Sequence, residues 1–184
     1  MKITDELKSE HEGIRILLNV LDAVKVKFQR GQAVDTEDLA GILEFMSVFI
    51  DKCHHAKEEE FLFPALEATG MSADSGLIGE LLSEHRQGRE LYDRFESAVS
   101  RYSSGEQSAA KDIRMRIDAY VALLKRHIET ENNDLFPLVD ARLDAKTDAE
   151  LFEAFERLET ERIGAGKHDE FHLLLHRLDQ AYRI

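Results

Sequence analysis

Residues 54–66, HHAKEEEFLFPAL, and residues 127–139, HIETENNDLFPLV, are one segment written twice. Laying Phe63-Pro64 on Phe136-Pro137 pairs His54 with His127 and Glu58 with Glu131. A second repeat lies upstream of each: residues 9–22, SEHEGIRILLNVLD, correspond to residues 83–96, SEHRQGRELYDRFE. His11 precedes His54 by 43 residues and His85 precedes His127 by 42, so the chain reads as a duplicated helical hairpin.

Four segments carry apolar residues at spacings of three and four. Leu7, Ile14, Leu18, Leu21 and Phe28 form one stripe, with His11 in line. Leu43, Ile50 and His54 share a face in a second segment, expected to run from about Asp38 to Leu66. Ile78, Leu81, Tyr92, Phe95 and Val99 align with His85 and Gly88, and Ile113, Ile117, Tyr120 and Leu124 lead into His127 and Glu131. Turn-forming residues cluster at Arg30-Gly31-Gln32, Thr69-Gly70-Met71 and Ser103-Ser104-Gly105. The midpoints between successive histidines fall at Gln32-Ala33, at Thr69-Gly70 and at Glu106. An all-α, up-down-up-down four-helix bundle would therefore bring His11, His54, His85 and His127 to one level of its core.

Four imidazoles and two carboxylates in an apolar core are very costly without a cation. His-x-x-x-Glu places both groups on one helix face, about a turn apart. His11, His54, Glu58, His85, His127 and Glu131 are thus the candidate metal ligands, and a nitrogen and oxygen donor set without thiolate suits iron, manganese or zinc. The bland alternative is a metal-free core in which the histidines are hydrogen-bonded; duplication at a common level argues against it.

The composition agrees with a compact helical chain: 184 residues, 43% hydrophobic, 33% charged, two prolines and no tryptophan. A net charge of −13 without a basic patch argues against nucleic acid as a partner. No run approaches the roughly 18–20 apolar residues of a membrane span, and the polar N-terminus does not read as a secretory signal. The single cysteine, Cys53, excludes an intramolecular disulfide and a multi-cysteine metal site. A cytoplasmic location is expected.

At these residues the sequence resembles the hemerythrin-like (HHE cation-binding) domain family, over roughly residues 3 to 142. The resemblance rests on His11, on His54-x-x-x-Glu58 before Phe63-Pro64, on His85, and on His127-x-x-x-Glu131 before Phe136-Pro137. It implies a di-iron centre, two irons joined by an oxo or hydroxo bridge, with Glu58 and Glu131 as bridging carboxylates and the histidines as terminal ligands. Oxygen-carrying hemerythrins have a second histidine one turn after the third-helix histidine, where this chain has Arg89. In the fourth helix they have a histidine followed five residues later by aspartate, in place of His-x-x-x-Glu. Relatives with the pattern seen here are associated with iron storage or donation, iron–sulfur repair, and oxygen, peroxide or nitric oxide chemistry. Ferritin-like proteins use paired Glu-x-x-His units, and Asp51-x-x-His54 is only an isolated approximation.

Several residues stand at the margin. His55 and Glu59 form a second His-x-x-x-Glu frame, rotated by about 100° from the first, and without a repeat counterpart. Glu59 and Glu60 are read as solvated or supporting groups, and Cys53 as a small buried hydrophobe. Gly88 could leave room for metal or substrate. Tyr92 and Tyr120 fit core packing, and Arg89 either pairs with a carboxylate or lies on the surface.

Residues 1–142 are expected to form the bundle, and residues 143–184 a helical extension packed on the same domain. That extension comprises a charged helix over 147–163 and a last helix over 167–182, whose stripe is Phe171, Leu175, Leu178 and Tyr182. Only His168 extends the stripe, as a candidate supporting group or further ligand; His172 and His176 turn towards solvent. The extension is expected to cap the bundle or to contact a partner protein or second subunit. The leading functional expectation is a di-iron protein that handles iron, or that reacts with or senses oxygen, peroxide or nitric oxide. A metal-dependent regulatory module and a zinc-binding or structural bundle without redox chemistry are the alternatives.

Overall fold

In a computed structural model of the chain, residues 2–72 and 76–183 are described. Helix α1 is Ile3–Gln29 and α3 is Gly76–Ser103. Helix α2 runs without a break over 36–68, α4 over 109–142 and α5 over 145–164, and α6 is Lys167–Tyr182. There is no strand among the described residues. Local chemistry sets the boundaries. The Asp35 carboxylate accepts a hydrogen bond from the Glu37 N–H at 2.8 Å and starts α2, and Asp144 caps α5 through the Thr147 N–H in the same way. Gly31 and Gly105 adopt φ of +69° and +99°, conformations open chiefly to glycine, and end α1 and the α3–α4 turn.

Helices α2 and α4 are not uniform. Phe45–His55, Glu58–Leu62 and Glu131–Leu135 are widened to i→i+5 hydrogen bonding. The last two lie at equivalent places in the repeat, directly before Phe63-Pro64 and Phe136-Pro137. Proline clashes with the carbonyl four residues earlier, and widening the turn relieves that clash. The Phe63 and Phe136 N–H groups donate to the carbonyls of Glu58 and Glu131. The widened Phe45–His55 stretch also moves the buried face: Leu43 is only partly buried, while Phe45, Phe49 and His55 turn inward. Phe45 and Phe49 continue the face of Ile42 and Met46, and His55 is the residue that a strict 3.6-residue period would turn away from it.

The core has two apolar clusters with a polar level between them. Ile3 and Leu7 from the start of α1, Leu62 and Leu66 from the end of α2, Ile78 and Leu81 from the start of α3, and Leu135 and Val139 from α4 share one cluster. The opposite ends of the same helices form the other, around Leu18, Phe45, Val99 and Ile113. In each helix the histidine and glutamate positions fall between the two. Helix α5 adds Leu151 and Phe155 to the first cluster, and α6 adds Phe171, Leu175 and Leu178 to the second. Glycines admit α6 closely: a Cβ at Gly41 would come within 3.0 Å of Leu174, and one at Gly13 within 3.5 Å of Leu175.

The C-terminal helix is also fastened by a polar contact. Tyr182 donates to Asp38 Oδ2 at 2.8 Å, and Arg177 holds the other oxygen. Tyr182→Phe should destabilise the fold by about 1.5 kcal/mol, the usual worth of a hydrogen bond to a charged group. Urea unfolding checks this; a midpoint unchanged from the parent would remove the contact from the account.

Candidate metal centre

His11, His54, Glu58, His85, His127 and Glu131 converge between the two clusters, and each is at most 2% exposed. His11 Nε2 lies 3.1 Å from His54 Nε2, and His85 Nε2 lies 3.1 Å from His127 Nε2. The carboxylates reach across these pairs. Glu131 places Oε2 3.0 Å from His11 Nε2 and Oε1 3.0 Å from His127 Nε2. Glu58 places Oε1 3.9 Å from His54 Nε2 and Oε2 3.4 Å from His85 Nε2. Two four-residue groups result, His11–His54–Glu58–Glu131 and Glu58–His85–His127–Glu131, each with donor atoms within 4.8 Å of one another. Both groups share both carboxylates.

The outward ring nitrogens explain why the inward ones converge. His54 Nδ1 faces Glu10 at 2.7 Å, His85 Nδ1 faces Glu59 at 2.7 Å, His127 Nδ1 faces Glu84 at 2.9 Å, and His11 Nδ1 faces the Asn132 oxygen at 3.0 Å. Each acceptor takes a proton from Nδ1, which leaves the Nε2 lone pair aimed inward, the arrangement that orients histidine towards a metal. The four carboxylate oxygens of Glu58 and Glu131 are buried and make no aligned hydrogen bond. Oxygens close to nitrogens yet misaligned for hydrogen bonding are what a shared cation requires. The residues fit a metal centre.

Without metal, protons must balance the two carboxylates. Burial opposes charge on His127, but Glu131, Glu84 and Glu58 outweigh it and raise its pKa to about 10. His54 and His85 move in the same direction: burial opposes their charge, but Glu58 outweighs it, helped by Glu10 at His54 and by Glu59 at His85. Burial likewise opposes charge on Glu131, yet His127 and His11 hold it well below the usual carboxylate range. Protons and metal ions compete for the same Nε2 lone pairs.

The orienting residues follow a rule that the sequence reading missed, apart from Glu59. Glu10 and Glu84 each precede the histidine of their own helix and hold the histidine of the next: α1 holds α2, and α3 holds α4. Glu59 and Asn132 each follow the glutamate of their own helix and hold the next histidine around: α2 holds α3, and α4 holds α1. The signal was present as Glu-His in both upstream repeats and as Glu58-Glu59 against Glu131-Asn132. Glu84→Gln should lower metal affinity about 10- to 100-fold while leaving helicity intact. Competition with a chromophoric chelator measures it, and parental affinity would show that Glu84 does not orient His127.

Other marginal residues resolve as follows. Arg89 pairs with Asp51 and Glu59, both at 2.7 Å, and so braces the carboxylate that holds His85. Glu60 is exposed and pairs with Arg162. Tyr92 donates to Glu96, away from the centre. His55 is buried, its ring stacked on His85 at 3.9 Å, with neither nitrogen hydrogen-bonded. Burial, with the charge of His85 and His127, keeps its pKa well below the ordinary value. Cys53 is buried, and burial with the nearby Glu10 charge pushes its thiol up to about 12, so it is inert near neutrality. His172 and His176 are exposed.

His168 does not join the six. Its Nε2 lies 3.9 Å from Glu10 and from Glu159. Those carboxylates and Glu6 surround the fully buried Lys57 ammonium at 2.5–2.6 Å. Burial opposes the Lys57 charge, but Glu10 and its neighbours raise its pKa above the ordinary lysine value. The α5 residue Glu159 is thereby linked through Lys57 and Glu10 to His54.

Comparison with known proteins gives a consistent picture. The sequence model of the hemerythrin HHE cation binding domain matches residues 2–139. Uncharacterized proteins of Mycobacterium tuberculosis and Mycobacterium bovis are each 27% identical over 163 residues, covering 87% of this chain. The chain spans 62% of the length of those relatives. No solved structure gives a significant match.

Proposed function

The chain belongs to the hemerythrin HHE cation-binding family, and on that footing we propose that it is a non-haem di-iron protein that reacts with a small oxidant: oxygen, peroxide or nitric oxide. One observation carries the reading: two four-residue donor groups share the carboxylates of Glu58 and Glu131. In this proposal His11 and His54 would hold one iron and His85 and His127 the other, with Glu58 and Glu131 available to both. The four helices form an up-down-up-down bundle, a reading supported by the starts of α1 and α3 clustering with the ends of α2 and α4. Bound iron supplies reversible electron transfer and a Lewis-acidic position for the oxidant. The chain fixes the imidazole tautomers, excludes bulk water with two apolar clusters, and places Arg89 where an oxygen carrier would have histidine. Reaction or sensing is therefore favoured over reversible oxygen carriage.

The test is anaerobic iron loading followed by metal analysis and optical spectra on exposure to oxygen, peroxide and nitric oxide. Close to two irons per chain and an oxidant-dependent charge-transfer band are expected. Less than about half an equivalent of iron after careful loading would sink the proposal.

A second reading, metal-dependent regulation, is favoured by the Glu159–Lys57–Glu10–His54 chain. It predicts that iron changes the protease sensitivity of residues 141–184; identical digestion with and without iron removes its basis.

A further inference from the structure

A cleft of about 560 Å³ opens between α2 and α3, with Tyr120 of α4 at its side. That lies within the roughly 300–1,000 Å³ of small-molecule sites and is far more than a diatomic molecule needs. His55 lines it, 4% exposed, with neither Nδ1 nor Nε2 hydrogen-bonded, and with a ring nitrogen within 4.8 Å of those of His85 and His127, which are themselves candidate metal ligands. The nearest carboxylate oxygen, Asp51 Oδ1, is 3.6 Å from Nδ1 and already accepts from Arg89. A buried imidazole without partners forfeits the hydrogen bonds it would make in water, so something should pair with it. Tyr120, 4% exposed, also lines the cleft.

The rest of the lining narrows the chemistry. Met46, Ile50 and the ring of Tyr92 supply apolar wall. Gly88 leaves depth, since a Cβ there would meet only Leu123, at 3.9 Å. Arg89 is neutralised by Asp51 and Glu59, and the remaining charges, Lys52 against Asp93 and Glu96, give no excess of base to select an anion. We infer that the cleft binds an uncharged small organic molecule, an aromatic or short hydrocarbon body bearing a hydroxyl, whose polar end meets His55 and Tyr120. His55 stacks on His85, so the bound hydroxyl sits one ring away from the candidate metal centre.

Phenol is the probe, with benzoate and benzylamine as its anionic and cationic counterparts. Ligand-observed NMR titrations are run on the full chain, with metal content measured on the same sample. Phenol should saturate and bind at least about tenfold more tightly than either ion, because benzoate meets a lining with more carboxylate than base and the ammonium of benzylamine can only donate, so it cannot accept from the Tyr120 hydroxyl. His55→Phe keeps the stack on His85 but removes the polar contact, and should weaken phenol about fivefold. Tyr120→Phe should weaken it by a similar factor, and Gly88→Leu, a helix-compatible change that fills the floor, should abolish saturation. Phenol binding that survives Gly88→Leu, that is matched by benzoate or benzylamine, or that never saturates overturns the inference. A metal-free sample that binds phenol keeps it while the di-iron reading is tested separately; a fully iron-loaded sample that fails to bind does the reverse.

Discussion

On the di-iron reading, exchanging Glu131 for glutamine should cost the protein both metal ions, not one. Each Glu131 oxygen lies 3.0 Å from a histidine of a different pair, and the residue belongs to both donor groups. The amide nitrogen of glutamine is a donor without a lone pair to offer, so one metal loses a ligand and the other keeps only a neutral one. Bound iron after loading is expected to fall from about two equivalents to fewer than about one. His11→Ala should behave differently. It removes a donor from one group only, and about one equivalent should remain, held by His85, His127 and the carboxylates. Metal analysis of the two variants side by side makes the comparison; equal losses in both would remove the case for shared carboxylates. Circular dichroism on the same samples separates loss of metal from loss of fold.

Removing metal should produce the other large effect, and it should depend on pH. In stripped protein the folded-state pKa of His127 is raised to about 10. Its stabilising contribution is therefore complete below the ordinary histidine pKa of about 6.5, and it is lost as pH rises towards 10. Glu131 works in the opposite sense. Its folded pKa is depressed, so its contribution is complete above the ordinary glutamate pKa and is lost only as the solution becomes strongly acidic. Stripped protein should thus be most stable near pH 5–6 and lose a few kcal/mol by pH 10. Metal has the reverse dependence, because binding displaces those protons and tightens as pH rises. At free metal a thousandfold above the dissociation constant, each site adds about 4 kcal/mol. Thermal unfolding with chelator and with saturating metal, at pH 6 and pH 9, should show a gap in melting temperature that widens with pH. A gap that is constant, or that narrows, would mean that metal does not replace protons on these histidines.

Much of this centre was legible in the sequence because it was written twice. A single His-x-x-x-Glu would have meant little. The coincidence of His54–Glu58 with His127–Glu131, each followed by Phe-Pro, favoured one of two adjacent frames in HHAKEEE, and the structure buries both histidines while leaving Glu59 of the other frame partly exposed. Turn positions were legible for the same reason, since facing residues in a hairpin must be equidistant from its turn. The inward turn of His55 was not legible. It depends on a widened stretch in α2, and no hydropathy period encodes a change in hydrogen-bond spacing. Glu10 and Glu84 escaped because a carboxylate beside a histidine on a helix looks solvated when only its own helix is considered. Its partner lies on the neighbouring helix. Lys57 was missed for a similar reason, since nothing local indicates that Glu6, Glu10 and Glu159 will converge around a fully buried ammonium.

The orienting residues also carry a consequence for inheritance. Glu10 and Glu84 serve histidines within their own hairpin, but Glu59 serves His85 and Asn132 serves His11, across the junction between the halves. Severed at the 104–108 turn, each half would keep its own imidazoles and lose one of the two groups that aim them. Neither copy of the repeat is free to drift by itself. A substitution at 59 is felt by the second copy, and one at 132 by the first, so the duplicated halves must change as a single lineage.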